Sequence, residues 1–159
     1  MNSIKYYLFV GLLALQFVSC DDTYISSIPD FPVYLQLDLT TTYPTFKNSS
    51  NKSLIFIKGI TPNIPEIYAT GYGGILVYSG VMRDDSGNTI YYAFDLSCPY
   101  EHKQTIRVKP NDIGQAICDS CKSVYIISYG NGDPISGPAK ETLRRYKTNL
   151  SGDILYITR

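Results

Sequence analysis

Ile75-Leu76-Val77-Tyr78-Ser79-Gly80-Val81 and Thr89-Ile90-Tyr91-Tyr92-Ala93-Phe94 stand on either side of Asp84-Asp85-Ser86-Gly87-Asn88. Both flanks are rich in β-branched and aromatic residues, which pack well on a pleated surface, and the polar, glycine-containing stretch between them is a hairpin loop. Working outward toward the N-terminus, Val33-Tyr34-Leu35-Gln36-Leu37-Asp38-Leu39 alternates apolar and polar residues, the period of a half-buried strand. After the polar stretch 47–53, Leu54-Ile55-Phe56-Ile57 reads as a buried strand. Toward the C-terminus, further strands are expected at 105–108, 116–117, 124–128 and 154–157, divided by Gly, Pro and Asn. No segment has helical periodicity and no internal repeat is present. Gly71-Tyr72-Gly73-Gly74 opens no helix, so it reads as a turn and not as a phosphate loop. Strand-like runs at intervals of about 8–12 residues predict an all-β, antiparallel sandwich or barrel.

Composition narrows the function classes. The 159 residues carry 14 Lys+Arg against 14 Asp+Glu, with no basic run interleaved with aromatics, so no nucleic-acid partner is expected. Fifteen Tyr, 6 Phe and no Trp suit a β-rich fold with amphipathic surfaces and leave an aromatic binding face open. At the N-terminus, Lys5 precedes an apolar run from Tyr6 to Val18, too short for a comfortable membrane span and followed directly by Asp21-Asp22. This predicts a signal peptide over 1–19. Phe17-Val18-Ser19-Cys20 resembles the processing box of bacterial lipoproteins, which implies cleavage before Cys20 and lipid attachment to it. Residues 20–32 then read as a lipidated N-terminus and tether, and 33–159 as one domain. The expected partner is a membrane surface, reached through a lipid anchor on the periplasmic or outer-membrane face of a bacterium. The Asn-x-Ser triplets at Asn48, Asn51 and Asn149 are discounted in that setting.

Chemistry-bearing residues crowd into two short stretches, Cys98-Pro99-Tyr100-Glu101-His102 and Cys118-Asp119-Ser120-Cys121. Cys-x-x-Cys lets two thiolates converge on one ion across a tight turn, and Cys98 with His102 forms a second short pair. In an exported protein the same thiols could pair as a disulfide, although three cysteines after Cys20 is an odd number. A thiol oxidoreductase motif usually opens a helix, and here the flanks read as strands. A stand-alone enzyme is not expected, because the single histidine leaves no second one for acid–base work.

The spacing Cys98-Pro99-Tyr100 to Cys118-Asp119-Ser120-Cys121 resembles the C-x-H…C-x-x-H signature of the Rieske family. Ser123-Val124-Tyr125-Ile126 sits where that family places a short aromatic-containing strand. Gly130-Asn131-Gly132-Asp133-Pro134-Ile135-Ser136-Gly137-Pro138-Ala139-Lys140 followed by Leu143-Arg144-Arg145-Tyr146 is similar to its Gly-Pro segment. The resemblance extends from Val33 to Arg159 and implies a Rieske-like β fold with a two-loop subdomain of rubredoxin or zinc-ribbon type. It also implies that Gly137 and Pro138 form the loop that shields a cluster.

The ligand set departs from the family. A Rieske [2Fe–2S] centre takes two Cys and two His, whereas this chain has Tyr100 and Cys121 at the histidine positions and one histidine in all. Three readings remain open. An atypical [2Fe–2S] cluster would be held by Cys98, Cys118, Cys121 and His102, with Tyr100 as the rival fourth ligand, in a tethered electron carrier that serves an unidentified redox donor and acceptor. The same residues could hold one zinc or iron ion. Or Cys121 pairs with Cys98 or Cys118, and the domain is a structural or binding module without metal.

Overall fold

The structure is a computed structural model that describes residues 26–159; the signal peptide expected over 1–19 and Cys20 lie outside the described residues. The described residues form eleven strands: β1 Val33–Asp38, β2 Lys52–Phe56, β3 Ala69–Thr70, β4 Ile75–Arg83, β5 Thr89–Asp95, β6 Val108–Pro110, β7 Gln115–Cys118, β8 Val124–Ile126, β9 Asp133–Ser136, β10 Arg145–Ser151 and β11 Ile154–Thr158. No helix occurs among the described residues. Seven strands make one antiparallel sheet in the order β2-β4-β5-β10-β11-β1-β3, and four make a second in the order β6-β7-β8-β9. The all-β antiparallel architecture expected from the strand pattern is the architecture observed.

The β4–β5 hairpin is what joins the two sheets. Along β4, Ile75 and Val77 point into a core shared with Leu35, Leu37, Phe56, Ala93, Tyr146 and Ile157. Residues of six strands of the large sheet enter this one core, so the sheet curls around it. Leu76 and Tyr78 point the other way, into a second core with Phe94, Leu96, Val108, Ala116, Tyr125 and Leu143. A strand buried on both faces needs an unbroken apolar run, and Ile75-Leu76-Val77-Tyr78 supplies it. β1 instead alternates, with Val33, Leu35 and Leu37 inward. The turn between β4 and β5 is closed by Asp84, whose carboxylate accepts the Ser86 and Asn88 amides at 2.9 and 2.8 Å.

Several expectations need correction. Leu54-Ile55-Phe56-Ile57 is not a buried strand: β2 is a sheet edge with only Phe56 buried, and Ile55 is 37% exposed. The strand expected at 105–108 begins only at Val108, preceded by a single bridge between Ser97 and Arg107. β3, β9 and most of β10 lacked a hydrophobic signal. In β10 only Tyr146 is fully inside, and pairing with β5 and β11 holds a largely polar segment in place.

The stretch read as a tether is also packed from Ser26 onward. Ile28 is fully buried, and its carbonyl accepts a hydrogen bond from Arg144 at 2.8 Å. Asp30 pairs with Arg144 at 2.6 Å and with Arg159. The Ser27 amide donates to Glu141 Oε1 at 2.7 Å, and its hydroxyl donates to the Pro99 carbonyl at 3.3 Å. The N-terminal strap therefore ends on the loop that carries Cys98.

Candidate metal centre

Two turns present the thiols, and they are built alike. Cys98 follows β5, and its carbonyl accepts the amides of Glu101 and His102, both at 3.1 Å. Cys118 closes β7, and its carbonyl accepts the amide of Lys122 at 2.9 Å. The residue four positions after each cysteine adopts a left-handed backbone, His102 at φ 53° and Lys122 at φ 62°. Exposure repeats as well: each cysteine is buried, the residues two and four positions on are exposed, and the residue three positions on is half-buried. Those half-buried residues are Glu101 in the first turn and Cys121 in the second.

The three sulfurs converge. Cys98, Cys118 and Cys121 place their Sγ atoms within 4.8 Å of one another, and Cys98 Sγ lies 3.6 Å from Cys121 Sγ. All three are free thiols in this structure. A tetrahedral ion with metal–sulfur bonds of about 2.3 Å holds its thiolates about 3.8 Å apart. The triangle is therefore close to the shape that one ion requires.

Neighbouring groups finish the pocket. The buried Tyr125 hydroxyl lies 3.4 Å from Cys98 Sγ, and Ser123 Oγ lies 3.2 Å from Cys121 Sγ. Ser123 Oγ also accepts the Ala139 amide at 3.1 Å, which ties the Gly137-Pro138 loop to the second turn. Gly137 is needed there: its φ is 90°, and a Cβ would fall 2.5 Å from the Ser123 Cα. Burial pushes the Cys118 thiol up to about 12, against opposing hydrogen bonds from backbone amides. Burial would raise Cys121 too, but hydrogen bonds from Ser123, Cys118 and Cys98 hold it below the ordinary cysteine value. Tyr125 is raised by burial, then by its contact with Cys98, which keeps it a neutral phenol able to donate to a thiolate.

Of the residues expected at this site, the three cysteines meet and the others are spread around them. His102 is exposed on the first turn and lies outside the sulfur group; Tyr100 is 50% exposed on the same turn. Gly137 and Pro138 lie exposed on the loop above Ser123. Tyr125 and Ser123 were not singled out as site residues. Their one sequence signal was their place on the strand just after Cys-x-x-Cys.

Asp95 anchors the first turn to the large sheet. Its fully buried carboxylate accepts the amides of Tyr72 (2.9 Å), Gly73 (3.0 Å) and Ser97 (2.7 Å) and the hydroxyl of Tyr146 (2.7 Å). Four donors offset the cost of burying this charge three residues before Cys98. Burial and the adjacent Asp95 raise the Tyr146 hydroxyl, so it stays protonated and donating.

No protein-family description matches the chain, and no curated protein matches it. Among solved structures, the chain is similar to the cyanobacterial plasma membrane Rieske protein PetC3 from Synechocystis PCC 6803. Sequence identity is 22%, the match covers 55% of this chain and 78% of that one, and the TM-score is 0.42. No helix among the described residues is long and apolar enough to cross a membrane.

Proposed function

We propose that this is a membrane-tethered metal–thiolate protein in which Cys98, Cys118 and Cys121 bind a single iron or zinc ion. The observation that carries this reading is the convergence of three thiols within 4.8 Å on two matched turns. With iron the centre is a one-electron carrier; with zinc it is a cap that closes the small sheet. Hydrogen bonds to ligand sulfurs are a recognised means of setting a potential, so Tyr125 and Ser123 favour the redox role. The fourth donor comes from the turn after Cys98, on which the sequence points to His102 or Tyr100 and the structure leaves both exposed. Lipid attachment at Cys20 supplies the tether, and the redox donor and acceptor are proteins or carriers at that membrane.

A [2Fe–2S] cluster is the second reading, favoured by the resemblance of the two cysteine stretches and the Gly137-Pro138 segment to the Rieske pattern. It demands more of this geometry. Thiolates on opposite irons stand about 5–6 Å apart, because the iron–iron separation adds to the span. One of the three sulfurs would have to move outward from the 4.8 Å triangle.

Metal and sulfide analysis of the purified full chain separates these readings. One ion per chain with no acid-labile sulfide supports the proposal. Two irons with two sulfides establish the cluster instead, and a chain that takes up no iron or zinc under reducing conditions overturns both.

A further inference from the structure

We propose that Glu101, and neither His102 nor Tyr100, is the fourth ligand of the centre; this rests on the single-ion reading above. The argument is the equivalence of the two turns. Cys98 and Cys118 each accept the amide four residues on, and each turn then leaves through a left-handed residue. Superposing one turn on the other by these features matches Tyr100 with Ser120, Glu101 with Cys121 and His102 with Lys122. In the second turn the ligand atom belongs to the third residue after the cysteine, Cys121. Its counterpart in the first turn is Glu101.

Burial points the same way. Glu101 and Cys121 are both half-buried, whereas Tyr100, Ser120, His102 and Lys122 are exposed. His102 sits at φ 53° because the turn needs a left-handed residue there, the place Lys122 fills at φ 62° in a turn where it is no ligand. Its role is geometric.

Glu101 differs from Cys121 in reach. The Glu101 carboxylate is outside the sulfur group, and its side chain has two more carbons than cysteine with which to reach the ion by rotation. Carboxylate oxygen is an accepted ligand of zinc and iron beside thiolates. Three thiolates and one carboxylate would make a strongly anionic set with one hard, exchangeable donor on its accessible side. The Cys-Pro-x-Glu stretch is then the partner of Cys-x-x-Cys, two ligand pairs of one spacing.

Cobalt(II) titration of the metal-stripped full chain, followed by its visible ligand-field and thiolate-to-cobalt charge-transfer bands, tests this. Glu101→Gln is expected to weaken cobalt binding about 10- to 100-fold. Glu101→Cys is expected to raise the charge-transfer intensity by about one third, as four thiolates replace three. His102→Gly, which suits the positive φ, and Tyr100→Phe are expected to leave both readouts unchanged. The assignment is overturned if Glu101→Gln binds cobalt like the parent, if Glu101→Cys adds no charge-transfer intensity, or if His102→Gly or Tyr100→Phe weakens binding. A parent chain that shows no thiolate-to-cobalt band defeats the single-ion reading itself, and the Glu101 assignment with it.

Discussion

Cys121 is the thiol that solvent reaches first, and its neighbours hold it in the reactive form at lower pH than an ordinary cysteine. Iodoacetamide added to the chelator-stripped protein should therefore alkylate Cys121 ahead of Cys98 and Cys118, as peptide mass mapping across a pH series will show. Prior loading with metal should suppress that modification. Cys118 gives the opposite sign. Its folded-state value lies above the ordinary 9.0, so the folded protein holds that proton more tightly than the unfolded chain. The resulting stabilisation is complete below pH 9 and is lost as pH climbs toward 12. The melting midpoint of the stripped protein should fall across that window, and a flat midpoint would contradict the burial of Cys118. Gly137→Ala sets a Cβ against the Ser123 backbone at a positive φ, and should cost about 1–3 kcal/mol in urea denaturation. At this scale the sequence revealed which residues carry the chemistry but not which of them meet. Cys98, Cys118 and Cys121 could be found from spacing; Tyr125 could not, since a tyrosine in an apolar strand is ordinary until its hydroxyl is seen beside a sulfur.

Among the elements, the β4–β5 hairpin carries burial on both faces while β2 carries it on one. Leu76→Ala, in the fully buried second core, should cost about 2–5 kcal/mol. Ile55→Ala, on the exposed side of the edge strand, should cost less than about 1 kcal/mol. Equal losses in the two variants would refute the edge placement of β2. The pair also shows why these strands were read unequally well. Ile75-Leu76-Val77-Tyr78 and Leu54-Ile55-Phe56-Ile57 are both short apolar runs, and hydrophobicity alone cannot say whether a second sheet covers the outer face. β10 was hidden for the converse reason: backbone pairing to strands on both sides holds a segment whose outward residues are polar. The alternation of β1 and the Asp84–Asn88 loop were plain, because each depends on local chemistry that no distant partner alters.

For the whole molecule, Asp95 ties the turn before β4, the end of β5 and β10 together, and the first ligand turn hangs from that junction. Asp95→Asn turns an amide NH₂ toward groups that are themselves donors, which should cost about 1–3 kcal/mol. It should also lower metal affinity, because Cys98 loses its fixed support; unchanged stability would mean that the junction is not held there. Chain order has a further consequence. β1 begins the described domain, yet its partner across five residue pairs is β11, the last strand. The strap before β1 is likewise fastened by Glu141, Arg144 and Arg159. Such distant pairings make closure of the large sheet a late event with a high entropic barrier, placing folding in the millisecond-to-second range. On its β11-facing side β1, the first strand among the described residues, must wait for β11, so until then only the two-residue β3 pairs with it. Until residue 158 can dock, the β11-facing edge of β1 stays open to pairing with other chains.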